Sequence, residues 1–137
     1  MLDLQESAGR QWPLYAKMPF SYDQFDESGV AENAVIMPGK AIVVSAAVII
    51  EEAFDSGDSD AIEVGDPDDA DRYGSADAQS LGYTALTPTG HRYEGKQAIQ
   101  LTWTGAGTPP TAGSGVLLVS YIMQDRATET QPAVLQA

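Results

Sequence analysis

Residues 41 to 54, AIVVSAAVIIEEAF, form the longest apolar run in the chain, and apolar side chains fill both registers of it. Taken two at a time, one face carries Ile42, Val44, Ala46, Val48 and Ile50, and the other Ala41, Val43, Ser45, Ala47 and Ile49. The β-branched content favours extended backbone, and the run is too short to cross a bilayer. An antiparallel strand with one solvated face alternates apolar and polar residues, so this run predicts a central strand covered on both faces. One cover is the opposing sheet of the same domain. The second is a loop, a terminal arm or another polypeptide.

The neighbouring segments read as shorter strands. From residue 14 to 22 the even positions are Leu14, Ala16, Met18, Phe20 and Tyr22, which predicts a strand with a core face. Pro19 in the other register cannot donate to a ladder and places that strand at a sheet edge. A short strand follows at 34 to 37, and Pro38-Gly39 turns the chain into the central run. Asp55-Ser56-Gly57-Asp58 predicts a hairpin connection to a strand at 61 to 64, with Ile62 and Val64 on one side. Gly65 to Asp71 does not read as a strand; Pro67 followed by carboxylates suits the first turn of a short helix, ending by residues 80 to 82. A short extended piece at 83 to 86 precedes a turn at 87 to 90. Residues 97 to 104 alternate strictly, with Ile99, Leu101 and Trp103 opposite Gln100, Thr102 and Thr104. The Gly/Pro/Thr stretch 105 to 115 reads as a hairpin loop into a last strand at 116 to 123. That strand is apolar on both faces like the central one, so the two are expected to be neighbours.

The expected fold is therefore all-β: a single antiparallel β-sandwich or jelly roll over residues 14–123, with at most one short helix. A polar N-terminal arm, 1–13, ending at Trp12-Pro13, and a polar tail, 124–137, flank it. At 137 residues with 43% apolar side chains, the chain suits one domain with a core of its own.

Charge narrows the partners. Seven basic residues against 20 acidic ones leave a net charge of −13, which repels phosphate backbones and anionic lipid, so neither nucleic acid nor membrane is an expected partner. The first residues lack a basic segment followed by an apolar core, so synthesis in a cytoplasm without a signal peptide is expected. There is no cysteine and one histidine, His91, so the common zinc sets cannot form. Half of the carboxylates lie between Glu51 and Asp71, which raises a calcium reading for Asp55, Asp58, Asp60 and Asp66. An EF-hand loop begun at Asp66, however, lacks both the sixth-position Gly and the twelfth-position Glu. The segment carrying Asp55, Asp58, Asp60, Asp66, Asp68, Asp69 and Asp71 is read instead as an acidic, solvent-facing loop. No phosphate-cradling glycine motif and no nucleophile elbow occurs, so no cofactor and no enzymatic activity are expected.

The order of segments has a likeness. Ala53-Phe54-Asp55-Ser56-Gly57, Ile62-Glu63-Val64-Gly65-Asp66, Asp71-Arg72-Tyr73 and Ile99-Gln100-Leu101-Thr102-Trp103 lead through a Gly/Thr/Pro loop to Val119-Ser120-Tyr121-Ile122. This resembles small β-rich virion proteins of tailed bacteriophages, most of all head decoration, or cement, proteins. The resemblance implies a jelly-roll-like domain, made in the host cytoplasm and commonly trimeric, seated outside the capsid where it bridges major capsid protein subunits. Tail, fibre or adhesion modules that bind glycan or another virion protein share similar wording and are the alternative. Under the decoration reading the expected interface residues are Leu4, Trp12, Leu14, Tyr15, Phe20 and Tyr22, large apolar groups of the kind that anchor interfaces.

Overall fold

The computed structural model describes residues 13–124 in full and the backbone of two short outlying strands. In chain order the strands are β1 (Gln5–Ser7), β2 (Leu14–Ser21), β3 (Ala31–Met37), β4 (Ala41–Glu52), β5 (Ser59–Asp66), β6 (Asp69–Asp77), β7 (Gly82–Ala85), β8 (Gln97–Ala106), β9 (Ser114–Met123) and β10 (Thr130–Pro132). Among the described residues the one helical element is a 3-10 turn at Tyr22–Gln24.

The strands pair from the inside outward. β5 pairs with β6, β4 with β7, β3 with β8, β2 with β9 and β1 with β10, every pair antiparallel. The chain is thus one long hairpin whose tip is the turn at Pro67-Asp68. Rolled up, it gains the further pairs β4 with β9 and β5 with β8. Two four-stranded sheets result, ordered β2-β9-β4-β7 and β3-β8-β5-β6. This is a jelly-roll sandwich. β4 and β9 lie side by side in the middle of the first sheet, and Pro19 sits on its edge strand β2, both as the residue pattern predicts.

The two sheets enclose Val48, Leu117 and Val119 from one side and Ile62, Val64, Ile99 and Leu101 from the other. Each such side chain, fully removed from water, contributes about 1.5–3 kcal/mol. Phe20, Phe25 and Phe54 close one end of the core with ring centroids 6.0 to 6.5 Å apart. Strict alternation does not survive along β4. A bulge between Val43 and Ser45 leaves Val44 exposed and shifts the phase, so that Ala41, Val43, Ala46, Val48 and Ile50 face the core.

Three local expectations are corrected. First, β4 and β5 are not a hairpin, because residues 53–58 cross from one sheet to the other. Second, the 107–113 loop also crosses between sheets. The two arches run together, joined by Gly57 N–H to Thr108 O at 3.1 Å and Asp58 N–H to Ala106 O at 2.9 Å. Phe54, two residues past the end of β4, is buried beneath them and turns the chain inward. Third, Pro67 starts no helix. The Asp66 carboxylate accepts the N–H groups of Asp68 and Asp69 at 3.1 and 3.0 Å, closing a tight turn, and β6 continues extended with Tyr73 and Ala76 inward. The arm and the tail also meet, with Gln5–Ser7 laddered on Thr130–Pro132.

Gly65 sits where β5 bulges before the tip, and a Cβ there would lie 2.2 Å from the Asp69 carbonyl oxygen. Gly95 has nothing within 4 Å. Gly65→Ala should therefore lose about 3 kcal/mol in thermal or urea unfolding through overpacking, while Gly95→Ala stays within about 0.5 kcal/mol of the parent. Equal effects at the two glycines would contradict this account of the tip.

Candidate functional site

The expected acidic loop is not one loop. Its carboxylates are distributed over a turn, two strands and an arch, and they do different work. Asp66 and Asp60 are 1% and 2% exposed, against the expectation that both face solvent. Asp60 accepts four hydrogen bonds from neutral donors: Ser56 N–H at 3.0 Å, Ser56 Oγ at 2.7 Å, Gln79 Nε2 at 2.9 Å and Trp103 Nε1 at 2.7 Å. It ties the 53–58 arch to β8. Asp55 lies outside and caps the other arch, accepting from Thr111 N–H and Oγ1 and from Ala112 N–H. The Thr111 hydrogen bonds hold its carboxyl below the usual range. Asp58, Asp68, Asp69 and Asp71 are exposed as expected. Among the described residues no three acidic, histidine or cysteine side chains converge as metal ligands.

Asp66 anchors a buried polar chain. It pairs with Arg72, Nε to Oδ2 at 2.5 Å, and accepts the Tyr93 hydroxyl at 3.0 Å, which in turn lies 2.6 Å from the Tyr73 hydroxyl. Burial pushes the Asp66 carboxyl up, but hydrogen bonds from Arg72 and Tyr93 and the Arg72 charge outweigh it and hold the group below its ordinary value. Burial likewise raises both tyrosines, so they stay protonated. His91 packs edge-on to Tyr93, with centroids 4.9 Å apart.

Of the expected interface residues, Leu4 and Trp12 lie outside the described residues. Leu14 and Tyr22 are half-buried, Tyr22 packing against the core cluster. Phe20 is a correction: at 5% exposure its ring fills the protein's own core beside Phe25 and Phe54, because it falls in the inward register of β2. Tyr15, in the outward register, is 80% exposed.

Tyr15 belongs to a surface that one strand alone cannot reveal. The ladders line up three outward rows across the first sheet: Tyr15, Ser120 and Ser45; then Lys17, Leu118, Ala47 and Ala85; then Pro19, Val116, Ile49 and Tyr83. Lys17 is the one charge in these rows. Tyr15 and Tyr83, the latter 67% exposed, stand as walls over a floor of Ser45, Ala47 and Ser120, making a shallow groove of about 230 Å³. The sequence hint was weak: β7 is four residues long, and nothing local says that Tyr83 shares a face with Tyr15. The outward face of the second sheet is different. Its rows put Thr102 beside Glu63 and Ser75, and Thr104 in line with Ala61 and Asp77. A second hollow, about 190 Å³, opens between the β2 and β3 edges and is lined by Met18, Phe20, Phe25, Glu32 and Leu101.

No family model matches the sequence, and no curated protein matches it either. Solved structures share the fold. A chain of the acidic stable capsid structure of Helicobacter pylori bacteriophage KHP30 superposes with a TM-score of 0.69 at 14% identity, covering 98% of this chain and 100% of that one. A chain of the cyanophage Pam1 capsid asymmetric unit gives 0.68 at 19% identity, over 90% of this chain and 93% of that one. A chain of the capsid of Ralstonia phage GP4 gives 0.61 at 17% identity, over 90% of each. At these identities the likeness is one of fold.

The Asp66 pair predicts an acid response. Because the folded carboxyl sits below its unfolded value of 3.8, the stability it contributes is present above that value and is lost as pH falls through the lower folded one. Asp66→Asn should cost about 3 kcal/mol at neutral pH, since it leaves Arg72 without its partner, and the gap to the parent should narrow below about pH 4. Thermal unfolding of both proteins from about pH 7 to 2.5 measures it. A gap of constant size would place the effect of the variant elsewhere.

Proposed function

We propose that this chain is a structural, non-catalytic virion protein: a decoration protein that binds the outside of an assembled bacteriophage capsid as a homotrimer and bridges major capsid protein subunits. The observation that carries the reading is the likeness over essentially whole chains, 98% of this one and 100% of the other, to a component of a phage capsid structure. Two further phage capsids contain chains of the same fold.

Charge supports the outer position. A chain with a net charge of −13 is repelled by packaged DNA, so the inner wall of a shell is the unfavourable side for it. The action is mechanical. Pulling two bridged shell subunits apart under internal pressure must also break the contacts of the bridge, and binding to the assembled lattice alone stabilises that lattice by mass action. A trimer holding several shell subunits gains by effective concentration, so single contacts of modest strength suffice. The arm, residues 1–13 with Leu4 and Trp12, supplies the reach and the apolar anchors for the shell.

Purified protein added to expanded capsids that lack it should bind to a fixed number of copies per particle and raise the temperature at which the particles release DNA. Failure to bind, or binding that never saturates, contradicts the reading. Removing residues 1–13 should leave the thermal unfolding of the domain nearly unchanged and weaken attachment at least about tenfold, by loss of the anchors. Full-strength attachment without the arm would reassign the anchor.

A further inference from the structure

We infer that the hollow between the β2 and β3 edges is a docking site for another protein, taking one large apolar side chain from a segment rich in lysine and arginine. The inference deepens the capsid reading by stating the chemistry of the shell segment, and rests on that reading only for whose segment it is.

A sandwich has two open sides, and here one of them is closed by the chain itself. On the β7 and β6 side residues 86–87 cross between the sheets: Leu86 N–H donates to Ala46 O of β4 and Thr87 N–H to Tyr73 O of β6, both at 2.9 Å, and Leu86 is buried. On the other side, among the described residues, no hydrogen bond joins the edge strands β2 and β3. The core shows through there. Phe20, Phe25 and Leu101, each at most 8% exposed, line the hollow together with the half-buried Met18. At about 190 Å³ it is smaller than the roughly 300–1,000 Å³ of a small-molecule pocket, which suits a single side chain. Strand addition is disfavoured at both edges, since Pro19 of β2 has no N–H to donate and β3 carries a bulge between Asn33 and Val35. The site offers a cavity for a side chain rather than a ladder for a strand.

The rim selects what carries that side chain. Glu32 lines the hollow, and Asp23 and Asp26 flank the lining residues Gln24 and Phe25 in sequence. Asp23 and Asp26 are exposed, and none of the three carboxylates forms an ion pair with a described residue. Residues 22 to 37 contain no lysine or arginine, and Lys17 of β2 stands in the outward register, opposite to Met18 and Phe20. An apolar floor beneath unpaired carboxylates is matched by an apolar side chain flanked by cations, because complementary potentials favour the encounter and like charges oppose it. A second copy is selected against, since it would bring the same acidic rim and a net charge of −13.

Two peptides of equal charge test the inference, Arg-Arg-Leu-Arg-Arg and Arg-Arg-Ser-Arg-Arg, each fluorescein-labelled and titrated with the full chain at about 0.15 M salt. The leucine peptide should bind about tenfold more tightly than the serine peptide, because only its central side chain gains by leaving water in the hollow. Ala34→Leu, which fills the hollow from the β3 bulge, should bring the two affinities within about twofold of each other. Asn33→Arg, at an exposed position on the rim, should weaken both peptides about tenfold, while Tyr83→Arg on the far edge strand β7 should weaken them less than about threefold. Both arginine variants replace exposed side chains and should keep the circular dichroism of the parent, so they decide the position if Ala34→Leu fails to fold. Equal affinities of the parent for the two peptides overturn the inference. So does a folded Ala34→Leu chain that keeps the full preference, or Asn33→Arg acting no more strongly than Tyr83→Arg. Sedimentation showing that the parent self-associates and that Ala34→Leu abolishes it would give the hollow to a second copy and likewise overturn the inference. Capsid binding keeps this claim apart from the previous one. A parent that prefers the leucine peptide yet ignores capsids leaves the docking site standing and removes the capsid reading. One that saturates capsids but binds the two peptides alike does the reverse.

Discussion

The Asp66 carboxylate is the point on which the fold turns. It closes the Pro67-Asp68 turn through two backbone N–H groups, holds Arg72, and accepts the Tyr93 hydroxyl. Every strand pair of the roll nests outside this tip, so a single buried charge sets the turn from which all later registers are counted. Such a charge is tolerable in the interior because it is paired and because its remaining lone pairs are used. Among the described residues, the Thr102 hydroxyl is the one buried side-chain polar atom left without a partner, so the rest of the interior meets the same standard of satisfaction.

Asp60 plays the matching part at the arches. Its four donors are all neutral, and they come from the 53–58 arch, the stretch after β6, and β8. With Phe54 packed beneath and Asp55 capping the neighbouring arch, the two crossings between sheets are held as one unit. The acidic character of this chain is thus partly internal scaffolding. What remains outside, including Asp58, Asp68, Asp69 and Asp71, supplies solubility and blocks edge-to-edge pairing.

That division leaves the molecule with two unlike sides. The first sheet presents aromatic walls and small apolar residues with one lysine, and the second presents threonine, glutamine and carboxylates. The two faces of the sandwich thus differ in polarity.

How much of this was legible in the chain depends on the range of the interaction. The all-β class, the edge position of β2, the inward residues of β8 and the central pairing of β4 with β9 could be read from the sequence, because side-chain period and proline act over a few residues. The β4 bulge, the two crossings mistaken for hairpins and the Pro67 turn mistaken for a helix start were not. The bulge and the crossings depend on partners far along the chain, as Thr108 is for Gly57, while the Pro67 turn rests on the Asp66 carboxylate bonding Asp68 and Asp69 N–H instead of starting a helix. The register of β2 turns Phe20 inward, yet its size and apolarity equally suit an interface anchor, since neither says which cavity a ring fills. By itself the sequence determined which residues want to leave water and with what spacing. Only the tertiary structure decided which of them leave it inside this chain, because burial is a property of what packs opposite, and Tyr15 and Tyr83 come to share a face only after β2 and β7 are aligned across β9 and β4.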